Sequence, residues 1–175
     1  MADDPGEIRL LCLDVDGVLT DGGIFIDDQG VETKRYHVRD GSGLVMWRKL
    51  GYQTALISGR TGMCVTHRAR ELGIRHVLLG VPDKGEAVGR LATELDIPLE
   101  QVAAMGDDLP DLPMLRMVGY PMAVADACRE VRETARFVTV RPGGFGAVRE
   151  AVEHLLKAHN RWSDALALFG IQDHD

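Results

Sequence analysis

Near the start of this chain an apolar run, Leu11-Cys12-Leu13, breaks into Asp14-Val15-Asp16-Gly17-Val18-Leu19-Thr20. Apolar residues flank and separate the two acids, the pattern of a buried strand opening into a loop. Two carboxylates at the end of a strand with no wet face are costly to desolvate unless something takes them up. A cation, or an anionic substrate bridged by a cation, meets that need. The carboxyl ends of parallel strands are also where open α/β sheets keep their sites.

Strand signals recur over residues 8–15, 53–58, 76–79, 102–105, 120–124 and 137–140. Helical patterns lie between them, over 44–50, 63–72, 85–95, 112–118, 127–134 and 147–159. This alternation predicts an α/β fold built on a parallel sheet covered on both faces. Residues 23–38 break the pattern and read as a β-hairpin turning at Asp28-Gln29-Gly30. It either pairs with the main sheet, forms a flap beside the site, or pairs with another subunit; since a lone hairpin is marginal, the last two are favoured. The expected organisation is a flexible stretch over 1–7, a single domain over 8–159 with the hairpin as an insert, and a tail over 160–175. That tail, with Trp162, Leu166, Leu168 and Phe169, is expected to dock on the body or on a neighbouring protomer.

Only 5% of the 175 residues are aromatic while 45% are hydrophobic, so the core is aliphatic. A net charge of -7 without a long Lys/Arg run argues against nucleic acid as a partner. An anionic substrate would then need local positive charge, from a metal or a few placed cations. Cys12, Cys64 and Cys128 are widely spaced and read as reduced thiols. With no signal-peptide pattern and no apolar stretch of membrane-spanning length, a cytoplasmic protein without a membrane partner is expected.

Three further strand ends carry polar or turn residues. Ser58-Gly59-Arg60 offers a hydroxyl, a free N–H and a cation; Lys84 opens a helix; Gly106-Asp107-Asp108 ends another apolar strand in paired acids. Phosphate needs N–H donors, a hydroxyl and a cation, and Mg²⁺ needs hard oxygen ligands. Taken singly, each piece has a plainer reading: a turn at Ser58-Gly59, an N-cap at Asp107-Asp108, a solvated lysine. Lys84 is nevertheless mismatched to the positive end of a helix, and all the pieces fall at strand ends of one small domain. Together they fit phosphoryl transfer. Asp14 would attack phosphorus, Asp16 would protonate the leaving alkoxide and then activate water, and Ser58 and Lys84 would stabilise the phosphoryl oxygens.

Asp14-Val15-Asp16-Gly17-Val18-Leu19-Thr20-Asp21, Ser58-Gly59-Arg60, Lys84 and Gly106-Asp107-Asp108 resemble the four motifs of the haloacid dehalogenase superfamily of phosphatases. The hairpin, Val38-Arg39-Asp40-Gly41, Ala123-Val124-Ala125-Asp126-Ala127 and residues 143–150 resemble its 3-deoxy-D-manno-octulosonate 8-phosphate (KDO 8-phosphate) phosphatase family, which serves lipopolysaccharide biosynthesis. The resemblance implies a Rossmann-like doubly wound sheet without a cap domain. It implies Mg²⁺ held by the Asp14 carboxylate, the Asp16 carbonyl and Asp107, with Asp108 behind them. It also implies phosphate contacts from Ser58, Gly59 and Lys84, substrate contacts from Arg60 and Thr20, a sugar-acid phosphate substrate, and a homotetramer joined through the hairpins. Phe145 stands where related enzymes commonly carry Arg, and the tail with Trp162 has no counterpart in the resemblance. Arg60 favours an eight-carbon sugar over a nine-carbon one (KDN or sialic acid 9-phosphate). Two other readings share the motifs: a phospho-acceptor domain, and a non-catalytic oligomerisation module.

Overall fold

The structure is a computed structural model that describes residues 4–172; the outer ends of the expected N-terminal stretch and tail, residues 1–3 and 173–175, lie outside the described residues. The chain runs through β1 (Leu10–Leu13), β2 (Phe25–Ile26), β3 (Glu32–Thr33), α1 (Val38–Lys49), β4 (Gln53–Ser58), α2 (Met63–Leu72), β5 (His76–Leu79) and α3 (Lys84–Glu94). It continues through β6 (Val102–Gly106), α4 (Leu112–Leu115), β7 (Tyr120–Ala123), α5 (Arg129–Thr134), β8 (Phe137–Val138), α6 (Ala147–Ala158) and α7 (Trp162–Ala167).

All four residues of β1 are fully buried, so the strand has no solvent face and sits mid-sheet. Its neighbours are β4 and β6, and the six-stranded sheet has the order β5-β4-β1-β6-β7-β8. Every pairing in it is parallel. Parallel strands need crossovers, and the contacts sort these into two groups of helices. Helices α1, α2 and α6 pack together, as do α3, α4 and α5, and α7 lies on α6. This is the expected doubly wound sheet, with its order reversing between β1 and β6.

Helix α1 begins at Val38, well before the expected start at 44. Gly41 and Gly43 made that segment read as loop, but they lie where α1 meets its neighbours: a side chain at Gly43 would press on the Arg149 backbone of α6 at 3.3 Å. Packing overrides the weak helix preference of glycine here. The Asp40 carboxylate, 1% exposed, reaches α6 and accepts from the N–H groups of Gly146 at 3.2 Å and Arg149 at 2.8 Å. It thereby caps a helix it does not belong to.

The hairpin does not join the main sheet; β2 and β3 form a two-stranded sheet of their own. Strand β8 stops at Val138 instead of 140, because the N–H groups of Val140 and Arg141 turn to the Glu150 carboxylate at 2.8 and 3.0 Å. The tail packs α7 on α6 through buried Ala165 and through Trp162, whose ring lies under Lys157. At the other terminus the Ile8 N–H donates to His159 Nε2 at 3.1 Å. No helix among the described residues is long and apolar enough to cross a membrane.

Candidate active site

The site forms where strand order reverses. The Asp14 N–H donates to the Met105 carbonyl at 3.0 Å, which holds the acid after β1 beside the end of β6. There the carboxylates of Asp14, Asp107 and Asp111 converge, with oxygens within 4.8 Å of one another. Asp14 and Asp111 are 5% and 1% exposed. One cation serves them: Lys84 Nζ, itself 8% exposed, donates to Asp14 Oδ1 at 2.6 Å and to Asp111 Oδ1 at 2.5 Å. Lys84 opens α3, a position where the helix dipole disfavours a cation, and the two carboxylates offset that cost.

Three carboxylates share one ammonium, so negative charge is in surplus. Burial, reinforced by the charge of Asp111 and only partly relieved by Lys84, pushes the Asp14 carboxyl up to about 6. Burial together with the charges of Asp14 and Asp111 pushes Asp107 up to about 8. For Lys84, burial favours the neutral amine, but Asp14 and Asp111 prevail and hold it above the ordinary lysine range. An all-oxygen donor set with surplus charge fits a hard divalent cation such as Mg²⁺.

Asp111 was not among the residues expected from the sequence. Its Oδ2 accepts from the N–H groups of Asp107 at 2.9 Å and Asp108 at 3.3 Å, tying the turn together. Asp111 is thus committed to Lys84 and the backbone, which leaves Asp14 and Asp107 with the open oxygens. The readable signal was the third acid of Asp107-Asp108-Leu109-Pro110-Asp111, where Pro110 lies in a short 3₁₀ turn (Leu109–Asp111). Asp108 itself is exposed at the rim.

A cleft of about 280 Å³ is lined by Asp14, Asp16, Ser58, Gly59, Arg60, Lys84, Asp107 and Asp108, with Pro110 and Asp111 besides. It gathers every residue expected at the site except Thr20. The Thr20 hydroxyl is buried within its own loop, accepting from the N–H groups of Gly17 at 3.3 Å and Gly22 at 3.2 Å. Ser58 is 3% exposed, and its Oγ accepts from the Arg60 N–H at 3.1 Å. A larger cavity of about 560 Å³ lies at the amino ends of β4 and β5, between Arg48, Tyr52, Arg70 and Arg75. It holds no carboxylate, so the smaller cleft is where the chemistry converges.

The hairpin contributes two residues that sequence reasoning missed. Lys34 Nζ pairs with Asp16 Oδ1 and with Glu32 Oε1, the latter at 2.5 Å. Glu32 Oε2 accepts from Arg60 at 2.6 Å, and Arg60 Nε lies 3.7 Å from Asp16 Oδ2. Residues 32 and 34 are two apart on an extended segment, so they share a face; that spacing was the available clue. The flap reading of the hairpin thus has direct contacts behind it.

Two glycines fix the loop after β1. Gly17 has φ +96°, and a Cβ there would sit 2.1 Å from Asp107 Oδ2. Gly143 packs against the same loop, where a Cβ would come 1.7 Å from the Gly17 carbonyl oxygen. The Gly143 N–H donates to Asp126 Oδ1 at 3.0 Å. Beside them, the Arg35 guanidinium lies 4.5 Å above the Phe145 ring and pairs with Asp21 at 2.6 Å. A cation therefore stands at Phe145 although position 145 supplies none.

A parallel sheet reversing at an acidic cluster, with a buried lysine behind the first acid, defines a haloacid dehalogenase-like hydrolase, and that family's model matches residues 80–148. The chain is 42% identical over 161 residues to the 3-deoxy-D-manno-octulosonate 8-phosphate phosphatase KdsC of Yersinia pestis, covering 92% of this chain and 86% of that protein. It is 43% identical over 158 residues to KdsC of Escherichia coli K12, covering 90% and 84%. Among solved structures it is similar to the same phosphatase from Moraxella catarrhalis in complex with magnesium, phosphate and KDO, with TM-score 0.92, 41% identity and 95% of each chain covered. The chain belongs to the 3-deoxy-D-manno-octulosonate 8-phosphate phosphatase family.

Proposed function

We propose that the protein is a Mg²⁺-dependent phosphatase that hydrolyses 3-deoxy-D-manno-octulosonate 8-phosphate through an aspartyl-phosphate. The observation that carries this reading is the buried Asp14 carboxylate, backed by Lys84 and set beside Asp107 and Asp111 with charge left to neutralise. Lys84 takes Asp14 Oδ1 and leaves the second oxygen for phosphorus.

In the first half, an Asp14 oxygen forms a bond to phosphorus as the bond from phosphorus to the sugar oxygen breaks. Asp16 passes its proton to that leaving oxygen. In the second half, Asp16 takes a proton from the water that attacks the aspartyl-phosphate, releasing inorganic phosphate and restoring Asp14. Ser58, the Gly59 N–H and Lys84 bind the phosphoryl oxygens. Asp14, the Asp16 carbonyl and Asp107 would hold Mg²⁺, which shields the nucleophile from the anion it attacks. Arg60 supplies positive charge toward the substrate's sugar acid. Support for the substrate comes from the Yersinia and Escherichia relatives and from the Moraxella structure, which holds KDO.

The assembly is read as a homotetramer joined through the hairpins. Ile24, Phe25, Ile26 and Val31 are all more than half exposed, an apolar surface around the hairpin that a second copy would cover.

The deciding experiment is phosphate release from a panel of sugar phosphates, eight- and nine-carbon keto acids included, with Mg²⁺ or with EDTA. The eight-carbon ester should give the highest kcat/KM, and activity should vanish with EDTA or in Asp14→Asn. Preference for a nine-carbon ester would reassign the substrate. No release from any ester, with slow labelling by acetyl phosphate, would make the chain a phospho-acceptor; neither release nor labelling would make it an oligomerisation module.

A further inference from the structure

We propose that Lys34 is a positioning residue for the acid–base step, fixing Asp16 by its Oδ1 so that Oδ2 is left for the oxygen of the departing sugar. The inference rests on the reading of Asp16 given above. Asp16 lies in a loop and receives no hydrogen bond from backbone N–H groups among the described residues; its partners are cations from other elements. Its Oδ2 is buried and accepts no hydrogen bond. An aspartate in such a loop has several rotamers open to it, and the Lys34 contact selects one.

Lys34 is itself well held. Its side chain is only 2% exposed, which an ammonium tolerates when paired, and both of its partners are carboxylates, Asp16 and Glu32. Glu32 also binds Arg60, so one hairpin carboxylate braces two cations that reach toward Asp16. The chain of contacts runs from the hairpin, through Glu32 and Lys34, to the group that moves the proton. Holding a catalytic group in its reactive geometry before the reaction is a recognised source of rate.

Leaving-group dependence separates positioning from mere docking of the hairpin. A sugar alkoxide needs the proton from Asp16 to depart, whereas p-nitrophenolate leaves as a stable anion and needs it little. With Mg²⁺ present, Lys34→Met should lower kcat on KDO 8-phosphate by roughly 10- to 100-fold, a part of what acid–base catalysis supplies. KM and the single-turnover release of p-nitrophenolate from p-nitrophenyl phosphate, which reports the first half alone, should change little, and a retained release also reports a folded protein. Lys34→Arg should restore most of the loss.

Equal losses in kcat on KDO 8-phosphate and in single-turnover p-nitrophenolate release, no loss in either, or a change in KM alone would overturn the assignment. Asp16→Asn, assayed alongside, should show the same dependence more strongly. If Asp16→Asn shows it and Lys34→Met does not, Lys34 alone is misassigned; if neither does, the acid–base reading of Asp16 falls first and takes Lys34 with it. Should Lys34→Met fail to fold, Glu32→Gln, which removes the second anchor of Lys34, is read on the same two esters with the same pattern expected and the same results overturning it.

Discussion

Asp111 accepts a hydrogen bond from the Lys84 ammonium at 2.5 Å and, through its other oxygen, one from the Asp107 N–H at 2.9 Å. It joins the lysine that opens α3 to the acid that follows β6. Asp111→Ala removes the acceptor for all of these donors and should cost on the order of 1–3 kcal/mol, as for buried polar groups left unsatisfied. Asp111→Asn keeps an acceptor oxygen but removes a charge that repels Asp14 and Asp107, so without metal it should be less destabilised than the alanine variant. Urea unfolding in EDTA checks this; equal losses would mean that charge, not hydrogen bonding, is the role of Asp111.

The pH dependence of stability should carry the signature of the surplus charge. Asp14 at about 6 and Asp107 at about 8 both stand above the unfolded aspartate value near 4. A carboxyl raised in the folded state binds its proton more tightly there. Its contribution is full below the unfolded value and is lost as pH climbs through the folded one. The metal-free protein should therefore lose thermal stability from about pH 5 to about pH 9. A divalent ion binds the ionised carboxylates, so the rise in Tm on adding Mg²⁺ should grow over the same span. Parallel melting curves with EDTA and with Mg²⁺ would contradict this.

Gly143 lines no part of the cleft, yet it should matter to turnover. A methyl group there meets the Gly17 carbonyl and displaces the loop that carries Asp16. Gly143→Ala should lower kcat by about 100-fold, as misplacements near 1 Å can, while the far-ultraviolet circular dichroism stays native. Full activity in the variant would show that the loop tolerates the shift.

Assembly should depend on the outer face of the hairpin and not on the face that carries Glu32. Phe25 is 56% exposed and sits opposite Thr33, on the other face of the hairpin from Glu32. Phe25→Asp should dissociate the oligomer in sedimentation velocity while leaving the Glu32–Lys34 face of the hairpin unaltered. An intact tetramer in that variant would place the contact elsewhere.

Much of this was legible in the residues. The aliphatic runs of β1, β4 and β6 announce themselves because strands buried on both faces carry no polar alternation, and the acids that end β1 and β6 stand out for the same reason. Asp111 was hidden because its meaning lies in Lys84, 27 residues away, and only the fold brings them together. Lys34 was hidden likewise, as an ordinary charge on a hairpin until the chain folds it onto Asp16. The start of α1 was misread because two glycines suit a loop locally and a tight helix–helix contact globally.

The bond from the Asp14 N–H to the Met105 carbonyl welds the two acid-bearing strand tips into one rigid frame. Their spacing starts from the interstrand repeat of a sheet, about 4.8 Å. Evolution can then rework the flap, its charges and its aromatic neighbours to admit a different sugar while the metal's grip stays fixed. Selectivity in such a molecule is an attachment to the framework, open to exchange between cousins without rebuilding the reaction centre.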